Sequence, residues 1–253
     1  MISYPSVSVV SHCWAVRLPH YASLLRYHLS SFLLHPPVRC RVIPVVCHDP
    51  NDELTVGTLR FFADRMPLAA IPLPPELLGR RSIGRNKAAL FTEADRVWFS
   101  DVDQVFGDGL LDGLVDMEWP STRDGDLPCG ERVTRWASMI FPRTIQIHRD
   151  HQTGDEYARR VIGPPGIVDI DKSDFIDKLY HRAIGGVQIV RGDFANDHGY
   201  LRDEERWQRP TNTPFADFRD DIAYRKSCLK HGPIIPVDLP GLFRLRHSTT
   251  SYQ

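Results

Sequence analysis

Three runs rich in β-branched and aromatic residues, SVSVVSHCW (6 to 14), RVIPVVCHDPND (41 to 52) and RVWFSDVDQVF (96 to 106), each pass from apolar to polar or acidic residues. Runs of this length bounded by polar turns read as buried strands. Between the first two, PHYASLLRYHLSSFLLHPP places Tyr21, Leu24, Leu25, Leu29, Phe32 and Leu33 on one stripe. This predicts a helix that starts after Pro19 and is stopped by Pro36 and Pro37. A shorter helical pattern, Asn86 to Glu93, precedes the third run. Strand, helix, strand, helix, strand with short connections defines an α/β chain with a doubly wound, Rossmann-like, mostly parallel sheet. At 253 residues, 42% hydrophobic and 25% charged, the sequence is sized for one such domain spanning 1–253.

The third run delivers two acids, Asp101 and Asp103, one residue apart. If the chain stays extended past Phe99, both side chains point to the same side and repel each other. A hard divalent cation, Mg2+ or Mn2+, relieves that repulsion and accepts phosphate oxygens as well. The location, at the C-terminal end of a strand, is where open α/β sheets bind ligands. Upstream, Arg80, Arg81, Arg85 and Lys87 form a basic cluster suited to a nucleotide diphosphate. A rival acid pair, Asp169 and Asp171 in IVDIDKSD, lacks such a preceding helix. In AIGGVQIVRGDF (183 to 194), Gly185 and Gly186 open a strand pattern and permit close approach of backbone to a ligand. FADFRDDIAYRKSCLKHG (215 to 232) reads as a helix opened by Asp220 and Asp221 and closed by Gly232.

In order and spacing, SVSVVSHC, LLRYHLSSFLL, VIPVVCHDPND, GRNKAALFTEADRVWFSDVD, AIGGVQIVRGDF and FRDDIAYRKSCLKHG resemble a known family. They are similar to the GT-A fold glycosyltransferases, in particular the inverting group related to bacterial polysaccharide and cellulose synthases. The likeness covers residues 6–107 and 181–233. It implies a nucleotide-sugar-binding half, 1–107, and an acceptor-binding half, 108–253. It also implies transfer of a sugar from a nucleotide sugar, UDP-linked by first choice, to an acceptor hydroxyl with inversion. Asp49, Arg85, Asn86, Asp101, Gly185 and Gly186 would then hold the donor, with His12 and His48 beside the base. Asp101, Asp103 and His247 would hold Mn2+ or Mg2+. Asp221 or Asp220, with Asp217 behind them, would deprotonate the acceptor, whose hydroxyl must lose its proton as it attacks. One departure touches base recognition: the second strand ends in Cys47-His48-Asp49, where the family often has paired acids followed by Gly-Ser. The acceptor classes implied are a glycan, a protein side chain or a hydroxymethylated DNA base.

Composition narrows the field further. A formal net charge of −1 gives no global basic field for nucleic acid. No apolar run approaches the ~20 residues of a membrane span. Cys13, Cys40, Cys47, Cys129 and Cys228 are odd in number and lack a C-x-x-C pair, the pattern of free thiols in a reducing, cytoplasmic compartment, the host's if the chain is viral. Arg202, Arg206 and Arg209 alternate with Asp203, Glu204 and Glu205, as a solvated face does. Two other readings remain. A sugar-nucleotide nucleotidyltransferase shares the fold class but carries a Gly-rich loop after the first strand, and SHCWAVRLPH has no glycine. A non-catalytic nucleotide-binding module would keep the fold and lose the chemistry. Residues 108–180 match no motif, and their Gly/Pro/Asp-rich stretches read as an acceptor-facing wall or lid.

Overall fold

The computed structural model of the protein describes residues 4–123, 134–149, 157, 164–211, 213, 215, 219–245 and 247. Cys129 and Asp217 lie outside them. The three predicted strands are β1 (Ser6–Cys13), β2 (Arg41–His48) and β4 (Arg96–Phe99), with β3 (Ala69–Pro72) completing a parallel quartet in the order β3-β2-β1-β4. The sheet continues through β11 (Gln188–Arg191), its one antiparallel member, to β8 (Met139–Pro142) and β12 (Ile234–Val237), seven strands in all. Strands from both predicted halves therefore share this sheet. All eight residues of β1 are buried, as expected of a central parallel strand covered on both faces.

Neighbouring residues show which helix covers which face. Cys13 Sγ lies 3.2 Å from Thr55 Oγ1 in α2 (Glu53–Ala63) and also reaches the carbonyl of Tyr21 in α1 (His20–Leu34). His12, one residue earlier and so facing the other way, packs on α4 (Arg81–Leu90): a Cβ built on Gly84 would stand 2.3 Å from its Nε2. The first helix begins and ends where Pro19 and Pro36 predict, but it is buried almost all round rather than along one stripe. A second sheet, β10-β9-β13-β5, explains why. Its strands are β5 (Gln104–Phe106), β9 (Thr144–His148), β10 (Phe175–Leu179) and β13 (Leu242–Arg244). His28 of α1 donates from Nδ1 to the Gln104 carbonyl of β5 at 2.7 Å, and Ser30 accepts from the Val168 amide.

The helix before β4 starts at Arg81, five residues ahead of the predicted Asn86, and stops at Leu90. Of the remaining elements, α3 (Pro75–Leu78) precedes it, while α5 (Leu110–Asp116), β6 (Ser121–Arg123) and β7 (Thr134–Trp136) follow β5. Beyond β11 come α6 (Gly192–His198), α7 (Glu205–Gln208) and α8 (Asp220–Cys228). Helix α8 opens on Asp220 and Asp221 as predicted but ends four residues before Gly232, whose amide still bonds back to the Cys228 carbonyl. No described helix is long and apolar enough to cross a membrane. Cys13, Cys40, Cys47 and Cys228 are free and buried, and burial pushes each thiol up to about 12, so they act as small apolar side chains.

Candidate active site

A cleft of about 420 Å³ opens where β4 ends and β11 begins. Asp101, Asp103, Gly185, Gly186, Asp221 and His247 all line it, so six of the predicted site residues converge on one space. The two acids arrive by a different route from the one expected. The chain does not stay extended past Phe99: the Gln104 amide bonds to the Asp101 carbonyl at 3.2 Å and closes a turn over 101–104. That turn, not the two-residue repeat of a strand, aims both carboxylates at the cleft.

Each carboxylate already carries guanidinium partners. Asp101 Oδ1 accepts from Arg81 Nη1 at 2.9 Å and Arg85 Nη2 at 3.1 Å. Asp103 Oδ2 accepts from Arg244 Nε at 2.9 Å. Burial alone would raise the Asp101 carboxyl; Arg81, Arg85 and Arg244 outweigh it and hold the group at about 2. Asp221 moves the opposite way, raised by burial and then by the neighbouring Asp220 charge. This divergence of two carboxylates in one cleft is the pattern expected of groups with different duties.

Gly185 and Gly186 separate the acid turn from α8. A Cβ on Gly185 would lie 3.6 Å from Asp221 Oδ2 and 3.8 Å from Asp101 Oδ2. On Gly186 it would collide with Gln104 Nε2 at 2.2 Å. Only Gly186 therefore lacks room for a side chain, and what crowds it is Gln104 rather than the ligand expected; Gly185 has ordinary contacts. Beneath them, Tyr200 donates to Gln188 Oε1 at 3.1 Å and the Gln188 amide donates to the Asp221 carbonyl at 3.0 Å. This network fixes the start of α8 relative to β11.

Other predicted residues are placed elsewhere. Arg85 is fully buried and donates to the Tyr200 hydroxyl, the Ser100 and Gly185 carbonyls and Asp101, so it positions the acid turn from below and does not face the cleft. Arg81, one helical turn earlier on the same face, is the member of the cluster that lines the cleft. Asn86 accepts from the Tyr200 amide at 3.0 Å and ties α4 to the segment after α6. Asp49 closes its own turn by accepting from the Asn51 amide at 2.9 Å, is buried, and does not line the cleft. Asp220 is also buried, its Oδ1 accepting from the Asp221 amide with Arg81 3.8 Å away. Of the α8 pair, Asp221 faces the cleft. The rival Asp171 caps the turn at Ser173, and neither it nor Asp169 reaches the cleft. His12 is buried, and burial together with Arg85 and Arg81 keeps it neutral.

Sequence reasoning missed Arg244, Lys178, Tyr180 and Tyr21, which also line the cleft. Tyr21 reads as a core position in the helical stripe, and Lys178 and Tyr180 belong to the stretch with no recognisable motif. For Arg244 no local signal exists, since its partner is 141 residues away in sequence.

Asp103 Oδ1 and His247 Nδ1, both buried and both on the cleft lining, have no hydrogen-bond partner among the described residues. A carboxylate oxygen and an imidazole nitrogen are donors that Mn2+ or Mg2+ accepts. Among the described residues no group of three or more His, Cys, Asp or Glu gathers that could hold a metal ion, so Asp101, Asp103 and His247 form no ready-made cage. A larger hollow of about 480 Å³, lined by Ile43, Val45, Ile71 and Phe91 on the sheet face, holds no paired carboxylates. The converging carboxylates belong to the smaller cleft.

The mostly parallel seven-stranded sheet with its acid turn at the strand ends is a glycosyltransferase fold of GT-A-like architecture. Residues 1–349 of S. aureus TarS share it: the crystal structure matches with a TM-score of 0.52 at 14% identity, over 94% of this chain and 60% of that one. The same TarS fragment in complex with UDP matches with a TM-score of 0.51 at 14% identity, over 96% and 60%. This chain therefore spans 60% of the length of those chains. No family model and no curated protein matches the sequence.

Proposed function

We propose that the protein is an inverting, divalent-cation-dependent glycosyltransferase that moves a sugar from a nucleoside diphosphate sugar, UDP-linked by first choice, to an acceptor hydroxyl. One observation carries the reading: Asp221 and the Asp101–Asp103 turn face each other across the side-chain-free Gly185–Gly186 step, in a single cleft. The UDP complex of TarS, a protein of the same fold, supports the choice of nucleotide.

Asp103 and His247, with Asp101 beside them, would hold Mn2+ or Mg2+. When bound, the ion neutralises the diphosphate and stabilises it as a leaving group. Arg81 and Lys178 add positive charge along the same wall. The bare backbone at 185–186 seats the sugar close to both acids. Asp221 takes the acceptor proton: burial and Asp220 raise its affinity for protons above that of an ordinary carboxylate, which suits a base that must accept one. Lys178, Tyr180 and Ile184 form the side left for the acceptor, which we place among glycans, protein side chains and hydroxymethylated DNA bases.

The test is a panel of nucleotide sugars incubated with the protein and Mn2+ or EDTA. Release of the nucleoside diphosphate, dependent on the cation, is expected. Release of pyrophosphate would replace this reading by a nucleotidyltransferase, and tight binding with no turnover on any acceptor class would leave a binding module.

A further inference from the structure

We infer that the Phe215 ring occupies the seat of the nucleoside base and is displaced when the donor binds, so that it competes with the base and sets donor affinity. The inference rests on the donor reading above.

Phe215 has a backbone φ of 47°, the left-handed region that a bulky L-residue seldom adopts. Such a conformation persists only where the surroundings enforce it, and it marks functional segments more often than ordinary loops. The surroundings here are specific. The ring is 3% exposed and belongs to a small apolar cluster, separate from the main core, with Trp14, Cys47, Leu73 and Leu78. Trp14, Cys47 and Leu73 stand at or just beyond the C-terminal ends of β1, β2 and β3, and Leu78 ends α3. That is the crevice outside the carboxyl ends of the strands where open α/β sheets seat a nucleotide.

The ring is also held as a base would be held. Tyr21 stacks on it with centroids 5.4 Å apart and planes 28° from parallel, and the Arg81 guanidinium lies 5.9 Å from its centroid. An aromatic face and a guanidinium attract a flat heteroaromatic ring as readily as a phenyl ring. The cleft stops at this stack: Tyr21 lines it, whereas His12 and Cys47, at the strand ends beside Phe215, do not. The cleft so bounded serves the diphosphate and sugar, and the base has no seat until the phenyl ring leaves.

The segment leading to Phe215 is strapped over α3 and α4. Ser82 Oγ donates to the Trp207 carbonyl at 2.5 Å, Arg80 Nε to the Arg209 carbonyl at 2.8 Å, and the Thr211 amide to the Glu76 carbonyl at 2.6 Å. These anchors hold Trp207, Arg209 and Thr211 and do not involve the ring.

The experiment is calorimetric titration of UDP, GDP and dTDP, each with Mn2+, and of inorganic pyrophosphate, into the wild-type chain, Phe215→Ala and Phe215→Leu. A plug lowers apparent affinity by the fraction of molecules in which the seat is open. Phe215→Ala is therefore expected to bind the cognate nucleoside diphosphate about tenfold or more tightly, Phe215→Leu to fall between it and wild type, and pyrophosphate to bind all three equally. Should Phe215→Ala fail to fold, the leucine variant decides alone. Equal or weaker nucleotide binding in a folded variant overturns the plug and leaves the donor reading intact. Absence of nucleotide binding in every variant, wild type included, overturns both.

Discussion

Arg244 Nε donates to Asp103 Oδ2 at 2.9 Å, and the backbone repeats the link, since the Leu245 amide bonds to the Asp103 carbonyl at 2.7 Å. The strand near the C-terminal end of the described chain thus fixes the second acid of the turn and leaves its Oδ1 without a hydrogen-bond partner among the described residues. Partners of this kind orient a ligating group, and their loss weakens metal affinity about 10–100-fold. Arg244→Met is expected to weaken Mn2+-dependent nucleotide binding by that factor, with Arg244→Lys recovering part of it. Titration of nucleotide at fixed Mn2+ measures it; unchanged affinity in Arg244→Met would remove Arg244 from the site.

The two acidic walls are separable by mutation. On the proposed reading, Asp103→Asn removes a donor to the cation, so both transfer and cation-dependent nucleotide binding are expected to fall. On the same reading Asp221→Asn removes only the proton acceptor, so transfer is expected to drop about 10²–10⁴-fold while nucleotide binding survives. The sign of the Asp221 shift gives a second readout. A carboxyl raised by burial and by Asp220 costs stability when ionised, below the pH where it deprotonates that cost is absent, and it grows as pH rises through the folded value. Asp221→Asn is therefore expected to unfold at neutral pH no more easily than wild type. Comparable losses of binding in both variants would refute the division of labour.

The parallel strands of residues 6–99 were legible because their signals are local. Apolar runs bounded by polar ends, and a helix framed by Pro19 and Pro36, need no distant partner to be read. The acid turn was legible as residues but not as geometry: Asp101 and Asp103 converge through a turn closed by Gln104, whereas alternation along a strand was the expected cause. Arg85 illustrates the limit from the other side. Its position in sequence marks it as part of the site, yet full burial beneath Ser100 and Gly185 is a tertiary outcome that no spacing reveals. Lys178, Tyr180 and Arg244 reach the cleft through the second sheet, where Arg244 pairs with the far-distant Gln104 and no periodic signature of a ligand site exists.

The two glycines make contrasting predictions. A Cβ on Gly186 meets Gln104 Nε2 at 2.2 Å and Asp101 Oδ2 at 3.1 Å, so Gly186→Ala must push the acid turn and costs about 1–3 kcal/mol, in the range of overpacked cores. A Cβ on Gly185 meets its nearest neighbour, Asp221 Cβ, at 3.5 Å, an ordinary contact. Gly185→Ala is expected to keep wild-type thermal stability while lowering transfer, because the methyl group stands in the gap between the acids. Thermal unfolding paired with turnover separates the cases, and a Gly185→Ala variant with full activity would show that no substrate group passes that gap.

Asp101 is the acid whose loss the fold should feel most. Its ordinary value is 3.8, and the three arginines, overcoming burial, hold it at about 2. A depressed carboxyl contributes stability that is complete above its unfolded value and disappears as pH falls through the folded one. The window is therefore pH 4 down to about 2, and the contribution is about 2 kcal/mol at 1.36 kcal/mol per pH unit. Asp101→Asn removes that acid limb and takes the carboxylate from the ion pair of the fully buried Arg85, while Arg81 keeps Asp220 3.8 Å away; a buried pair broken in this way costs about 3–5 kcal/mol at neutral pH. Denaturant unfolding of wild type and variant at pH 7 and at pH 2.5 checks both statements: the gap should be smaller at pH 2.5 than at pH 7, by no more than the acid-limb contribution. A gap of the same size at both values would mean that the guanidinium groups do not depend on this carboxylate.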